Sequence, residues 1–234
     1  MGENTRRAYD LAAPTYDAEP NSVLFTEDET VLGMLALRPG DRLLDAACGT
    51  GKYLLAASRL GAACAGTDFS TEMLARAAAK CPAAALARHD LERPPLPFPD
   101  GAFTAAVFAH GLRHVLHLAP VFADFARVLA PGGRLAVSVT HQEAPFKLFK
   151  YLAKDLGDYD EPDLAGEKAA HSAQAVADAA ARAGLLPAGE AVIPVDARLE
   201  PLLTPDSYRA TAGRPLILAL KFVKPAAGPG EGGA

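Results

Sequence analysis

The sequence has no tryptophan and only three cysteines among its 234 residues. The cysteines, Cys48, Cys64 and Cys81, are too few and too irregularly spaced for a disulfide framework or a zinc cluster. We therefore predict no metal site, and we expect a reducing, cytoplasmic environment.

Long apolar runs and an excess of positive charge are also lacking. No stretch approaches the roughly 18 apolar residues that would span a bilayer, and the first ten residues, MGENTRRAYD, lack the apolar core of a signal peptide. The net charge is −5, whereas a domain that binds nucleic acid is expected to be basic. We therefore expect no membrane span and no nucleic-acid partner, and the oligomeric state, monomer or homodimer, stays open.

The most informative stretch is LLDAACGTG at 43–51, a short apolar run followed by a loop of small residues. The next residues, KYLLAASRL at 52–60, have the apolar spacing of a helix. Gly49 and Gly51 permit positive φ and close approach of a ligand to the backbone, and the start of the helix offers unpaired N–H groups. Strand, tight loop and helix together predict binding of a nucleoside-like molecule.

Two common interpretations of this loop fit poorly. A P-loop requires a first glycine and a hydroxyl after Gly-Lys, but Ala46 and Tyr53 stand at those positions. A dinucleotide-binding loop requires a third small residue, where this chain has Leu54. The carboxylate of Asp45, directly before the loop, suits a ligand with a cationic amine better than a pyrophosphate.

Residues 41–140 alternate strands and helices at short intervals. We predict strands at about 42–46, 62–68, 84–89, 104–110 and 134–140, and helices at about 51–60, 70–80 and 118–130. This alternation predicts a mainly parallel sheet with helices on both faces, which binds ligands outside the carboxyl ends of its strands. Four polar residues fall at those ends: Asp45, Asp68, Asp90 and His110.

The flanking segments are predicted to complete a single domain over residues 1–224. Residues 1–38 are expected to form a helical cap, with a helix from the N-cap residue Thr26 to about Leu37. Its tyrosines either pack on the domain edge or close over a ligand. Residues 141–164 are predicted to be a lid or substrate element, with a packing helix as the alternative. A helix over 165–183, two closing antiparallel strands and a flexible tail at 225–234 follow.

These motifs resemble those of class I S-adenosylmethionine (SAM)-dependent methyltransferases, and most closely the small-molecule branch that acts on ubiquinone and menaquinone precursors. Residues 43–51 match the first motif of that family, with Ala47 where the family usually has glycine, and APGGRL at 130–135 matches the turn before the fifth strand. Phe103-Thr104 departs from the usual Phe-Asp. The resemblance implies a Rossmann-like, doubly wound, seven-stranded sheet, mostly parallel with an antiparallel final strand.

The resemblance also implies SAM as the cofactor and assigns roles to particular residues. Asp45 and the loop would hold the methionyl part, Asp68 the ribose hydroxyls, and Asp90 the adenine amino group. Apart from the resemblance, Tyr9 and Tyr16 in the first segment are candidates for closing over the cofactor. The predicted cofactor-binding residues are Asp45, Ala47, Cys48, Gly49, Gly51, Asp68, Phe69, Met73, Asp90, Leu91 and Tyr16.

The function that the resemblance implies is methyl transfer to a small, partly apolar molecule by in-line displacement. The alternatives are a SAM-binding module without transfer activity and a nicotinamide-dependent oxidoreductase. Because the sulfonium supplies the leaving group, the enzyme mostly supplies orientation, and a base is required only if the acceptor loses a proton. The predicted bases are His114 and then His110, ahead of His117 and His141, and the sequence leaves open whether O, N or C is methylated.

Overall fold

A computed structural model describes residues 3–17, 27–145 and 171–226. The strands are β1 (Arg42–Ala46), β2 (Ala63–Asp68), β3 (Ala85–Arg88), β4 (Phe103–Ala109), β5 (Leu129–Thr140), β6 (Leu186–Pro194) and β7 (Pro215–Val223). The helices are α1 (Glu3–Ala12), α2 (Asp28–Leu35), α3 (Lys52–Arg59), α4 (Thr71–Lys80), α5 (Leu118–Val128), α6 (Ala173–Arg182) and α7 (Pro205–Thr211). Single 3₁₀ segments cover Leu112–His114 and Ala197–Leu202.

The seven strands form one sheet in the order β3-β2-β1-β4-β5-β7-β6. Strands β1 to β5 pair in parallel, whereas β7 lies antiparallel to both of its neighbours. The strand order reverses at β1, which has β2 on one side and β4 on the other. The predicted doubly wound, Rossmann-like fold is confirmed, and its ligand crevice is expected at this reversal.

The central strands are apolar because helices cover both faces of the sheet. Leu43 and Leu44, successive residues of β1, are fully buried in separate core clusters. The Leu44 cluster includes Phe122 and Phe125 of α5. The Leu43 cluster includes Leu35 of α2. Helices on both faces therefore hold the carboxyl end of β1 in a fixed position.

Two predicted helix boundaries are wrong. The helix predicted over 118–130 ends at Val128, because Leu129 already pairs with Phe103 as the first residue of β5. The turn at 130–133 is thus an irregularity within β5 and not a separate connection. Helix α2 begins at Asp28 and stops at Leu35, since Ala36 adopts a left-handed conformation with φ +46°.

Some sequence-based predictions fall on residues outside the described ranges. They concern the capping role of Thr26, most of the lid predicted at 141–164, the first part of the helix predicted over 165–183, and the tail after residue 226. The described part of that helix is α6, which ends at Arg182. The predicted start of α4 is confirmed, because the Ser70 hydroxyl accepts the Met73 N–H at 3.1 Å.

Two glycines of the loop after β1 provide a test of the packing between α3 and α4. Gly49 (φ +52°) has open space where a Cβ would lie, whereas a Cβ on Gly51 (φ +84°) would lie 3.0 Å from Cα and Cβ of Ala77 on α4. We predict that Gly49→Ala lowers the free energy of unfolding by about 1 kcal/mol through backbone strain alone. Gly51→Ala should lower it by roughly 2–4 kcal/mol, because overpacking adds to the strain. Equal losses in urea denaturation would contradict this packing.

Candidate cofactor and acceptor site

The loop after β1 is held against the carboxyl end of β2. The N–H of Cys48 donates to the carbonyl of Thr67 at 2.8 Å, and the N–H of Gly51 donates to the carbonyl of Cys48 at 2.9 Å. Ala47 has φ +61°, a left-handed conformation that is uncommon for a residue with a side chain. The loop therefore turns sharply at the strand end, and its backbone lies at the reversal in strand order.

Asp68, the last residue of β2, joins this loop to helix α4. Its Oδ2 accepts the N–H of Gly49 and its Oδ1 accepts the N–H of Ser70, both at 2.9 Å. The side chain is 5% exposed. Burial raises its pKa to about 6, although the two backbone N–H donors act in the opposite direction. One carboxylate thus connects two predicted parts of the cofactor site.

Asp45, the predicted methionine-end residue, is also buried, with 1% exposure. Among the described residues, its Oδ2 has no hydrogen-bond partner. Burial raises the pKa of Asp45 well above its usual value, the positive charge of Lys52 lowers it, and Asp68 raises it further. A buried carboxylate oxygen of this kind is unfavourable unless a donor binds it. A cationic amine beside the loop would satisfy it.

Two pockets that share Phe69 and His89 in their lining adjoin each other, and Asp68 lines the narrower one. A pocket of about 640 Å³ is lined in part by Phe69, Asp90 and Arg6, a volume in the usual range for small-molecule sites. A narrow pocket of about 20 Å³ is lined in part by Asp68, Leu91 and Phe69. The structure therefore brings the predicted ribose and adenine residues to one cleft.

Two other predicted cofactor residues have buried side chains. Met73 is 1% exposed and Cys48 is 7% exposed, and Cys48 packs in a small apolar cluster with Leu54. Burial raises the pKa of the Cys48 thiol far above its usual value, so the thiol stays protonated. Cys48 therefore contributes to the loop through its backbone.

Residues 3–17, which contain helix α1, contact the cleft and its loop through tyrosines and two aspartates. The ring of Tyr9 packs edge-on against Phe69, with centroids 5.5 Å apart, and against His114 at 5.4 Å. The Asp10 carboxylate accepts the Ser70 hydroxyl at 2.6 Å, and the Asp17 carboxylate accepts the Thr50 hydroxyl at 2.7 Å. Tyr16 lies next to Tyr9, with centroids 6.3 Å apart. The first segment of the chain is therefore attached to the loop and to the start of α4.

The four candidate histidines occupy different environments. His114 is 8% exposed, lines the narrow pocket, and lies 2.8 Å from the Tyr9 hydroxyl through Nε2. His110 follows β4, and its Nε2 lies 3.0 Å from Oε1 of the buried Glu27. His117 has a 73% exposed side chain paired with Glu92, and His141 follows β5 and accepts a backbone N–H. Only the first two lie at the cleft or in the turn beside it.

Sequence reasoning missed His89 and Glu27. His89 lines both pockets, and its buried Nε2 has no hydrogen-bond partner within residues 3–17, 27–145 and 171–226. Burial lowers the pKa of His89, which keeps the ring neutral. The sequence did offer a signal for His89, because this residue directly precedes Asp90, a predicted cofactor-binding residue. Glu27 had no such signal, because it is distant in sequence from every strand end.

Comparison with known proteins agrees with this geometry. Residues 44–137 match a family model described as a methyltransferase domain. This part of the chain is therefore similar to methyltransferase domains. The matched residues run from within β1 to within β5 and include the loop, Asp68, His110 and His114.

Two curated relatives of this part of the chain have the same name. Demethylmenaquinone methyltransferase of Tropheryma whipplei (strain Twist) is 35% identical over 136 residues, which cover 56% of this chain and 57% of that protein. The enzyme of the same name from Beutenbergia cavernae is 36% identical over 149 residues, which cover 63% of this chain and 60% of that protein. The chain thus spans less than two thirds of the length of either relative.

A solved structure extends the likeness in fold beyond the matched residues. The SAM-dependent methyltransferase from Mesorhizobium loti superposes with a TM-score of 0.65 and 24% identity, covering 86% of this chain and 99% of that chain. At this identity the likeness concerns the fold alone.

Substitution of Asp68 tests the predicted ribose position. We predict that Asp68→Ala weakens binding of S-adenosylhomocysteine by about 2 kcal/mol, because a charged hydrogen-bond acceptor is lost. This corresponds to roughly a 30-fold increase in Kd by calorimetry. Asp100→Ala is the matched control, since its side chain is 81% exposed. An unchanged affinity in a folded Asp68→Ala variant would place the ribose elsewhere.

The pKa of Asp68 gives a second prediction. Because burial raises that pKa to about 6, the carboxylate is mostly ionised at pH 7 and mostly protonated at pH 5. The protonated form loses acceptor capacity, so the affinity for S-adenosylhomocysteine should fall about tenfold between pH 7 and pH 5. The Asp68→Asn variant, which does not titrate, should lack this dependence. An equal pH dependence in both proteins would contradict the assignment.

Proposed function

We propose that this protein transfers a methyl group from SAM to a small, partly apolar acceptor by in-line displacement. The observation that carries the proposal is the loop-bound carboxylate of Asp68, which lies at the reversal in strand order together with the unpartnered carboxylate oxygen of Asp45. The match to a methyltransferase domain and the names of the curated relatives support this function.

The chain's own residues would orient the cofactor and exclude water. When bound, SAM supplies both the methyl group and the leaving group. Asp68 would accept the ribose hydroxyls, Asp45 would accept the methionyl amino group, and the backbone of Ala47 to Gly49 would lie along the methionyl chain. Phe69, which lines both pockets, and Leu91, which lines the narrow pocket, would contact the adenine. Orientation of this kind accounts for most of the rate in a displacement that needs no other chemistry.

The acceptor would bind on the His114 side of the cleft. Tyr9 and His114 form its wall from helix α1 and from the turn after β4. The mixture of one aromatic ring, one imidazole and buried apolar surface suits a partly apolar molecule that carries a polar group. The relatives are named for demethylmenaquinone, so demethylmenaquinone is the first acceptor to test here.

We also propose a class of acceptor and a cellular location for the protein. The net charge of −5 supports a small-molecule acceptor over a nucleic acid, and we place the protein in the cytoplasm. Within the described ranges, no helix has both the length and the hydropathy required to cross a bilayer.

Transfer activity is tested with SAM labelled in its methyl group. The protein is incubated with the labelled cofactor and either demethylmenaquinone or a metabolite extract, and products are separated by mass. We predict label in an organic product and stoichiometric S-adenosylhomocysteine, both abolished by boiling the protein. Binding of SAM without transfer to any acceptor would instead favour a binding module.

A further inference from the structure

We propose that His89 determines cofactor specificity by donating a hydrogen bond from Nε2 to a ring nitrogen of the adenine. This inference rests on the proposed function, which places the adenine against Phe69 and Leu91. It begins from a buried polar atom, because Nε2 of His89 has no hydrogen-bond partner within residues 3–17, 27–145 and 171–226. A buried polar atom is costly to leave unpaired, so a ligand that pairs with it gains affinity.

The sheet fixes the backbone of His89 at the carboxyl end of β3. The His89 N–H donates to the carbonyl of Asp68 at 2.9 Å, which continues the parallel pairing of Arg88 with Asp68. His89 is thus held beside the residue that is proposed to bind the ribose. Because the adenine is bonded to the ribose, the end of this neighbouring strand is well placed to meet the base.

His89 lies on the face of the sheet that carries Leu91. Ala85 of β3 pairs with Ala65 of β2, and Ala65 packs in the core cluster that includes Leu91. Side chains alternate between the two faces along an extended chain, so His89, four residues after Ala85, falls on the same face. The imidazole and one proposed adenine contact therefore share a side of the sheet.

His89 also belongs to the wall that the two pockets share. It lines both the larger and the narrow pocket, as Phe69 does. The narrow pocket, of about 20 Å³, offers roughly the space of one water molecule and is too small for a purine. It must therefore widen when the cofactor binds, and the buried atoms of its wall then meet the base.

The His89 ring is neutral, which decides the kind of hydrogen bond that it makes. Burial lowers the pKa of His89, although the carboxylates of Asp124 and Asp90 act in the opposite direction. A neutral imidazole has one N–H donor and one acceptor nitrogen. It therefore matches either a donor or an acceptor on a ligand, and the ligand selects the tautomer.

The proposed contacts of the adenine decide that Nε2 donates. Adenine has one hydrogen-bond donor, its amino group, whereas its ring nitrogens are acceptors. The ionised carboxylate of Asp90 only accepts, so it takes the amino group. A ring nitrogen is what remains for His89, and Nε2 must then carry the proton while Nδ1 does not.

The first test compares S-adenosylhomocysteine with its 1-deaza, 3-deaza and 7-deaza analogues, in each of which a C–H group replaces one ring nitrogen. For one of these analogues, we expect the wild-type protein to show an affinity loss of about tenfold by calorimetry. His89→Leu should bind S-adenosylhomocysteine about tenfold more weakly than the wild type, and that analogue should cost it nothing further.

Two further variants complete this test. His89→Gln, whose amide carries a donor, should recover discrimination against the same analogue. His117→Leu makes the parallel change at a histidine with a 73% exposed side chain and should behave as the wild type. If the wild type binds all four ligands equally, or if folded His89→Leu keeps every loss, the proposal is wrong. A purely structural His89 would give one of these two results.

The second test uses ¹⁵N NMR of the histidine side chains in the complex with S-adenosylhomocysteine. His89→Gln removes the His89 signals and so assigns them. We expect a protonated Nε2 and an unprotonated Nδ1 at neutral pH. A complex in which Nδ1 carries the proton, or in which the ring is an imidazolium, would overturn the proposal.

These measurements also separate the proposal from the proposed function. Failure of the wild-type protein to bind S-adenosylhomocysteine would overturn both. Binding of S-adenosylhomocysteine together with methyl transfer, but without discrimination among the analogues, would overturn only the role of His89. In the transfer assay, His89→Leu should raise KM for SAM about tenfold and leave kcat within about threefold, because the lost contact is equal in the ground and transition states. A lower kcat at unchanged KM would contradict a binding role.

Discussion

The site depends on one buried carboxylate, that of Asp68, which accepts N–H groups from two different elements. Its bond to Gly49 fixes the loop after β1, and its bond to Ser70 fixes the start of α4. The Ser70 hydroxyl in turn accepts the Met73 N–H and donates to Asp10 of α1. The loop, helix α4 and the cap thus share one hydrogen-bonded network. Burial favours the neutral form of Asp68, whereas the N–H groups of Gly49 and Ser70 favour its ionised form. The network therefore partly offsets the effect of burial on this carboxyl group.

Several carboxyl groups lie close to Lys52 at the start of α3. Asp45, Glu27 and Asp28 lie near a single lysine, Lys52, whose charge acts on all three carboxylates. His110 compensates Glu27, and the Asp28 carboxylate pairs with Lys52 itself. Asp45 is left with an oxygen that has no partner among the described residues. A cationic ligand at the methionine end of the site would balance this charge, which agrees with a sulfonium that carries an ammonium group.

The sequence predicted the parts of the structure that follow from local rules. Strand positions came from apolar runs bounded by turns, and the strand ends marked Asp45 and Asp68 because parallel strands align their carboxyl ends. The start of α4 at Ser70 followed from N-cap preference. These features depend on residues that are close together in the chain, so short sequence patterns were sufficient to predict them.

Features that depend on distant contacts were not predictable in the same way. The early start of β5 at Leu129 results from pairing with Phe103, which overrides the turn chemistry of Pro131-Gly132-Gly133. Glu27 reads as a solvent-exposed acid at the start of a helix, and only the fold places it against His110 and Tyr53. Tyr9 was a weak candidate for closing over the cofactor. Its contacts with Phe69 and His114 join residues about 60 to 105 positions apart.

The central claim is that the cleft at the ends of β1 and β2 recognises SAM and not another nucleotide. Parallel calorimetric titrations of the intact protein with S-adenosylhomocysteine and with NAD test it most directly. The account predicts saturable one-to-one binding of S-adenosylhomocysteine and no detectable heat from NAD at the same concentrations. Binding of NAD without binding of S-adenosylhomocysteine would contradict it.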